Sequence, residues 1–196
     1  MVKVIEEHNI PKEFDVVACE DTSQQLDSEI DAVALQSVEV QIEKITERQR
    51  QITAWLQIPH PVDKVWKVLT DYEALPEFVP NLTKSCLLKH PKGGIRLEQV
   101  GAQRFLNINF CARVVLDLEE YFPKEINFRM VEGDFKEFSG SWQLTPCSQS
   151  EGSGTRLCYT VKIWPKLTMP VGLIERRLSN DMRLNLAAIC HRVQTT

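Results

Sequence analysis

The side chains that could carry acid–base, nucleophilic or metal chemistry are few and scattered. The four histidines, at positions 8, 60, 90 and 191, share no spacing typical of a catalytic triad or a metal site. The six cysteines form no Cys-x-x-Cys pair, which argues against zinc binding. The chain also lacks Walker, Gly-x-Gly-x-x-Gly and Gly-x-Ser-x-Gly sequences, so phosphate cradling and serine hydrolysis have no support. We predict no metal and no cofactor.

One carboxylate is a weak candidate for a catalytic group. Ile126, Phe128 and Met130 alternate along a predicted strand, and continuing that alternation puts Glu132 on the same inward side. A general acid or base needs a carboxyl group positioned in this way. The competing interpretation, which we favour, is a carboxylate that faces water at a strand end, just before Gly133. The sequence therefore favours a non-enzymatic protein over an enzyme.

Alternating apolar residues predict an antiparallel sheet. Strict alternation over residues 38–43 and a β-rich segment over 51–58 predict a hairpin. Further strands are predicted over residues 82–90, 95–103, 105–122, 126–132, 138–145 and 156–164. One face of the longest strand is entirely apolar, with Ile108, Phe110, Ala112, Val114, Leu116 and Leu118. We expect this face to point inward unless a β-bulge shifts the register.

Helical spacing occurs on both sides of these strands. After Pro61, the residues Val62, Val65, Trp66 and Leu69 predict a first helix, and residues 72–79 predict a second, shorter one. The longest helical pattern, over residues 171–193, has one apolar stripe: Ile174, Leu178, Met182, Leu186, Ile189 and Val193. This order of elements predicts an α+β domain.

Four short segments resemble a known superfamily. Residues 58–72 read IPHPVDKVWKVLTDY, residues 78–82 FVPNL, residues 138–142 FSGSW and residues 154–157 GTRL. With the order of elements, they resemble the START-like (SRPBCC) superfamily of polyketide cyclase/dehydrase and lipid-transport proteins. The resemblance covers about residues 38–193 and is strongest to the coenzyme-Q-binding branch and its cyanobacterial and plastid relatives. It implies a helix-grip fold, in which a curved antiparallel sheet wraps around the long C-terminal helix, with two short helices after the first strand.

The resemblance also implies an internal cavity for a hydrophobic molecule. We expect its walls to include residues of the first helix, the central strands and the C-terminal helix: Trp66, Leu69, Phe110, Ala112, Val114, Leu116, Phe128, Met130, Trp142, Tyr159, Val161, Ile174, Leu178, Met182 and Leu186. The first hypothesis is non-enzymatic binding or transport of a lipid, isoprenoid quinone or pigment. The alternative is a polyketide aromatase/cyclase or dehydratase, with Glu132 as its acid–base group.

Charge and hydropathy divide the chain at about residue 37. Residues 1–37 hold nine acidic against two basic residues and predict a disordered leader, followed by a ligand-binding domain over 38–196. A third hypothesis is that this leader recruits a partner. The basic residues of the remainder are too dispersed for nucleic-acid binding. Without a long apolar run or a secretion signal, we predict a cytoplasmic protein.

Two features near the C-terminus leave alternatives open. Arg176, Arg177 and Arg183, with Trp164–Lys166 before them, either touch an anionic membrane surface transiently or form a solvated helix face. The apolar segment 167–174 contains Pro170 and Gly172, so it is either a movable gate for ligand entry or a packed connector.

Overall fold

The chain forms one antiparallel sheet of eight strands against a long C-terminal helix. The computed structural model describes residues 32–105, 108–149 and 152–196. The predicted disorder of residues 1–31 and the predicted inward position of the Phe110 side chain lie outside the described part. The strands are β1 (Glu39–Lys44), β2 (Arg50–Ile58), β3 (Leu82–Leu88), β4 (Ile95–Phe105), β5 (Ile108–Tyr121), β6 (Glu125–Gly133), β7 (Glu137–Gln149) and β8 (Gly152–Trp164).

The strand order explains how the sheet surrounds the helix. The strands are arranged β1-β2-β8-β7-β6-β5-β4-β3, so β3 to β8 form a meander and the β1–β2 hairpin joins its last strand. All pairings between neighbours are antiparallel. The curved sheet and the long C-terminal helix confirm the predicted helix-grip fold.

Three helices are described. They are α1 (Ala32–Ser37), α2 (Val62–Thr70) and α3 (Val171–Thr195). In α2 the predicted apolar positions are buried, because residues three and four apart share one helix face. The predicted second short helix over 72–79 is reduced to a single 3-10 turn, Leu75–Glu77, which contains Pro76. Proline lacks the amide donor that a continuing helix requires at this point.

The helix α1 adds structured residues ahead of the predicted domain start. Its Ala34 is buried, and so is Val38, which follows the helix. The helix packs on α3 and β2. Composition predicts that residues 32–37 belong to the leader, but this segment packs on the domain through its apolar positions.

The core lies between α3 and the inward face of the sheet. Every second residue of β2 from Ile52 to Ile58 is buried, and so is every second residue of β8 from Leu157 to Ile163. The two sets are adjacent because Ile52 pairs with Val161 and Leu56 with Leu157. The alternation of the sequence thus determines which face of the sheet meets the helix.

Candidate functional site

A cavity of about 250 Å³ lies between the sheet and α3. Its walls come from β3 to β8, from the end of α2, from the segment between α2 and β3, and from one face of α3. Most of the lining is apolar, including Val114 and Leu116 of β5 and Ile174 of α3. Such a space, apolar with a few polar groups, is typical of a small-molecule site.

Nine of the residues expected in the cavity walls line this space: Leu69, Ala112, Val114, Leu116, Phe128, Trp142, Tyr159, Ile174 and Leu178. Five others are not among the lining residues: Trp66, Met130, Val161, Met182 and Leu186. Of these, Met130 is partly buried against the core and the other four are buried within it.

The rotation of α3 explains why Met182 and Leu186 are not in the lining. Both are fully buried at one side of the apolar stripe. The face that meets the cavity instead carries Arg177, Asp181 and Asn185, four residues apart in turn. We did not predict these polar residues in the cavity.

Asp181 is held by a residue of the segment that precedes β3. Asn81 Nδ2 donates a hydrogen bond to Asp181 Oδ1 at 3.2 Å. Asn81 adopts a positive φ of 62°, which asparagine tolerates better than most residues. Its carbonyl accepts a hydrogen bond from the Ala102 amide at 2.8 Å. Both the backbone and the side chain of Asn81 are therefore held by hydrogen bonds. The cavity therefore contains a positioned carboxylate.

Two aromatic rings form one part of the wall. Trp142 and Tyr159 stack with their centroids 3.6 Å apart. Burial, and to a smaller extent the charge of Asp181, raises the pKa of Tyr159 above its usual range. The Tyr159 hydroxyl therefore stays protonated at neutral pH and can act as a hydrogen-bond donor.

Tyr72 closes another part of the wall. Its hydroxyl donates to Glu120 Oε1 at 2.6 Å, while its side chain lines the cavity. Burial, and then the bond to Glu120, raises the pKa of Tyr72 far above the usual value of tyrosine. This tyrosine is also neutral across the physiological range.

Glu132 lies on the outer face of the sheet, where its side chain meets water, and the inward alternative does not hold. In the pairing of β6 with β5, Glu132 lies opposite Val115 and Met130 opposite Leu116, so Val131 is an extra, unpaired residue. This β-bulge turns Glu132 to the outer face of the sheet. Its side chain is 68% exposed, and its Oε1 accepts a bond from Arg113 Nη1 at 2.6 Å. Glu132 does not line the cavity.

The three arginines of the proposed membrane-facing group do not form one surface. Arg176 is exposed, whereas Arg177 lines the cavity. Arg183 Nη1 donates to the Val38 carbonyl at 2.7 Å and so ties α3 to the start of β1. Two of the three side chains are thus directed at the protein itself.

The connector between β8 and α3 is attached to the hairpin. Arg48 Nη2 donates to the carbonyls of Lys166 and Met169 at 2.8 and 2.9 Å. Met169 packs against the core, while Leu167 is exposed. These contacts favour a packed connector over a movable gate.

The described residues hold neither a metal-binding cluster nor a membrane-spanning helix. Across residues 32–105, 108–149 and 152–196, no group of three or more His, Cys, Asp or Glu side chains could hold a metal ion. None of the helices in the same ranges is long and apolar enough to cross a membrane.

A curved sheet that holds an apolar cavity against a long C-terminal helix defines a helix-grip protein. A family model described as polyketide cyclase / dehydrase and lipid transport matches residues 58–187. The chain belongs to this family.

The chain is also similar to proteins of known name and to solved structures. The ribosome association toxin RatA of Escherichia coli K12 is 25% identical over 99 residues, and the match covers 50% of this chain and 60% of RatA. The Zhui aromatase/cyclase of Streptomyces sp. R1128 has a TM-score of 0.60 at 17% identity over 74% of this chain and 94% of its own. A STAR-related lipid transfer protein of Xanthomonas axonopodis has a TM-score of 0.61 at 17% identity over 81% and 94%. At this identity the two structures show a shared fold.

Proposed function

We propose that this protein is a non-enzymatic carrier that binds a hydrophobic small molecule in the cavity between the sheet and α3. The observation that carries the proposal is the apolar lining, to which β5 contributes Ala112, Val114, Leu116 and Leu118. Moving an apolar ligand from water into such a space is favourable by roughly 25 cal/mol per Å² buried, before the costs of binding are subtracted. The family description, which includes lipid transport, supports the same function.

The size of the cavity limits which ligands can fit inside it. Its volume of about 250 Å³ is slightly below the roughly 300–1,000 Å³ of typical small-molecule pockets. A ring system or a short chain is accommodated, whereas a long acyl or polyprenyl tail would extend beyond it. An isoprenoid quinone or pigment would therefore place its ring inside. We propose that the carrier acts in the cytoplasm, as its sequence predicts.

Native mass spectrometry of the freshly purified full chain tests this function. We expect a bound small molecule that organic extraction releases and identifies. Filling the cavity with Ala112→Phe should abolish this extra mass, while Thr145→Phe, an exposed position of β7, should retain it. Circular dichroism establishes that both variants are folded. A wild-type protein that stays ligand-free and binds nothing from a lipid and quinone panel would refute the carrier function.

A second candidate function is a polyketide aromatase/cyclase or dehydratase. The observation that favours it is the presence of Asp181 and Tyr159 in the same cavity wall, since such chemistry needs a positioned acid–base pair. Asp181 replaces Glu132 as the candidate group for this activity. The printed name of the Streptomyces structure, an aromatase/cyclase, adds support at the level of fold.

A substitution that preserves shape separates the two functions. Asp181→Asn keeps a side chain that Asn81 can bond but removes the carboxylate. An enzyme would lose turnover of an aromatic polyketide precursor by about 10²–10⁴-fold and still bind it. A carrier would show no turnover in either form. Turnover that is unchanged in the variant would exclude Asp181 as the acid–base group.

A further inference from the structure

The cavity wall includes the buried amide oxygen of Asn185. Asn185 Oδ1 is buried and accepts no hydrogen bond within the described part of the protein. Asn185 lies on the cavity-facing side of α3, one turn beyond Asp181. A buried acceptor without a donor costs free energy, so a donor from the ligand has a specific place to bind.

The other polar groups of the wall define what kind of donor fits. The Tyr159 hydroxyl is protonated and can donate, whereas Asp181 carries a negative charge and is bonded by Asn81. A hydroxyl group both donates and accepts, so it can satisfy Asn185 Oδ1 without leaving its own oxygen unsatisfied. Arg177 balances the charge of Asp181 in the lining, and these two side chains therefore add no net charge that would select an ion.

The apolar part of the ligand must match the rest of the wall. Trp142 and Tyr159 are parallel within 2° and form a flat aromatic unit. Phe128 contacts Tyr159 with ring centroids 6.1 Å apart and extends this unit. Ring systems pack well against such a surface, since aromatic pairs gain stability beyond the area they bury.

We infer that the cavity selects an uncharged, ring-containing molecule with a hydroxyl group, and that Asn185 Oδ1 accepts the hydrogen bond of this hydroxyl. The inference rests on the proposed carrier function and specifies its ligand class. Carboxylate ligands are disfavoured, because an ionised carboxylate has only acceptors and would leave Asn185 Oδ1 without a donor.

Three naphthalenes of nearly equal shape test the inference on the full chain. They are 2-naphthol, 2-methylnaphthalene and 2-naphthoate, which carry a hydroxyl, a methyl and a carboxylate group at the same position. We expect isothermal titration calorimetry to show 2-naphthol bound on the order of tenfold more tightly than either analogue. Asn185→Leu should remove this preference over 2-methylnaphthalene. Asn180→Leu, an exposed position on the same helix, should keep it.

The outcomes distinguish this inference from the carrier function. Equal affinity of the wild-type protein for 2-naphthol and 2-methylnaphthalene, or a preference for 2-naphthoate, would overturn the inference and leave the carrier function intact. Absence of binding to all three would also overturn it, and the co-purification experiment would then decide whether the carrier function survives. The wild-type comparison is informative even if Asn185→Leu fails to fold.

Discussion

Trp142 lies directly across from Tyr159 on neighbouring strands, and their rings stack at 3.6 Å with an interplanar angle of 2°. Cross-strand neighbours of an antiparallel pair stand close enough for their side chains to touch. Tyr159 is buried, whereas Trp142 is only partly so. The core therefore holds the Tyr159 ring in place, and the Trp142 ring stacked on it extends the cavity wall.

This arrangement predicts unequal effects of substitution at the two rings. Trp142→Ala should lower the free energy of unfolding by about 2–4 kcal/mol, because it removes the stacked ring and enlarges the cavity. Tyr159→Phe keeps the ring and should cost less than about 1 kcal/mol. Urea denaturation of the full chain measures both values. Equal losses in the two variants would contradict a role for the stack in stability.

A second prediction about stability concerns Gly140. At this position β7 and β8 lie too close together to leave room for a side chain. A Cβ atom at this position would clash with the Thr160 carbonyl oxygen. Gly140→Ala should therefore destabilise the protein by more than about 3 kcal/mol or prevent folding. Gly172 of α3 is the matched control, since a Cβ there meets nothing within 4 Å. Gly172→Ala should be neutral or stabilise by up to about 1 kcal/mol.

The fold could be predicted from the sequence because periodicity reports which face of an element is buried. Val114 and Leu116 follow the alternation of β5, Ile174 and Leu178 follow the apolar stripe of α3, and all four line the cavity. These positions depend only on the repeat of a strand or a helix. These positions can be predicted without knowing which strands pair with each other.

The polar part of the site was missed for two different reasons. Asp181 follows Ile174 by seven residues, and Asn185 follows it by eleven, so both have helical spacing with the stripe. That spacing could have identified them, but a stripe defined by apolar residues alone excludes them. The inward alternative for Glu132 fails because the bulge at Val131 depends on the hydrogen bonding between β5 and β6. The alternation of apolar residues within β6 gives no indication of this bulge.

The hydrogen bonds from Arg48 predict that the connector between β8 and α3 resists proteolysis. Because Arg48 bonds the carbonyls of Lys166 and Met169, its replacement should release the chain around Lys166. We expect trypsin to cleave after Lys166 about tenfold faster in Arg48→Ala than in wild type. Lys44→Ala, which removes an exposed ion pair of the same hairpin, should not change the rate. Rapid cleavage in the wild-type protein would instead indicate a movable gate.

The outer face of the sheet predicts how stability depends on pH. Glu98 accepts hydrogen bonds from Lys84 and, at 2.7 Å, from Arg113 Nε. These bonds lower the pKa of Glu98 from 4.5 to about 2. In the unfolded chain this carboxyl group binds its proton at a higher pH than in the folded protein. Its contribution to stability is therefore complete above the unfolded pKa and is lost as the pH falls from about 4.5 towards about 2.

Glu98→Gln should remove this contribution and leave the fold unchanged. We expect the variant to be less stable than wild type by about 1 kcal/mol near pH 6, and the difference to shrink towards zero near pH 2. Both proteins keep some dependence on pH, since the bond from Arg96 also lowers the pKa of Asp117. Urea denaturation across this range measures the difference, with Glu43→Gln on the exposed strand β1 as the control. A difference between wild type and Glu98→Gln that stays constant with pH would show that the charge of Glu98 does not stabilise the sheet.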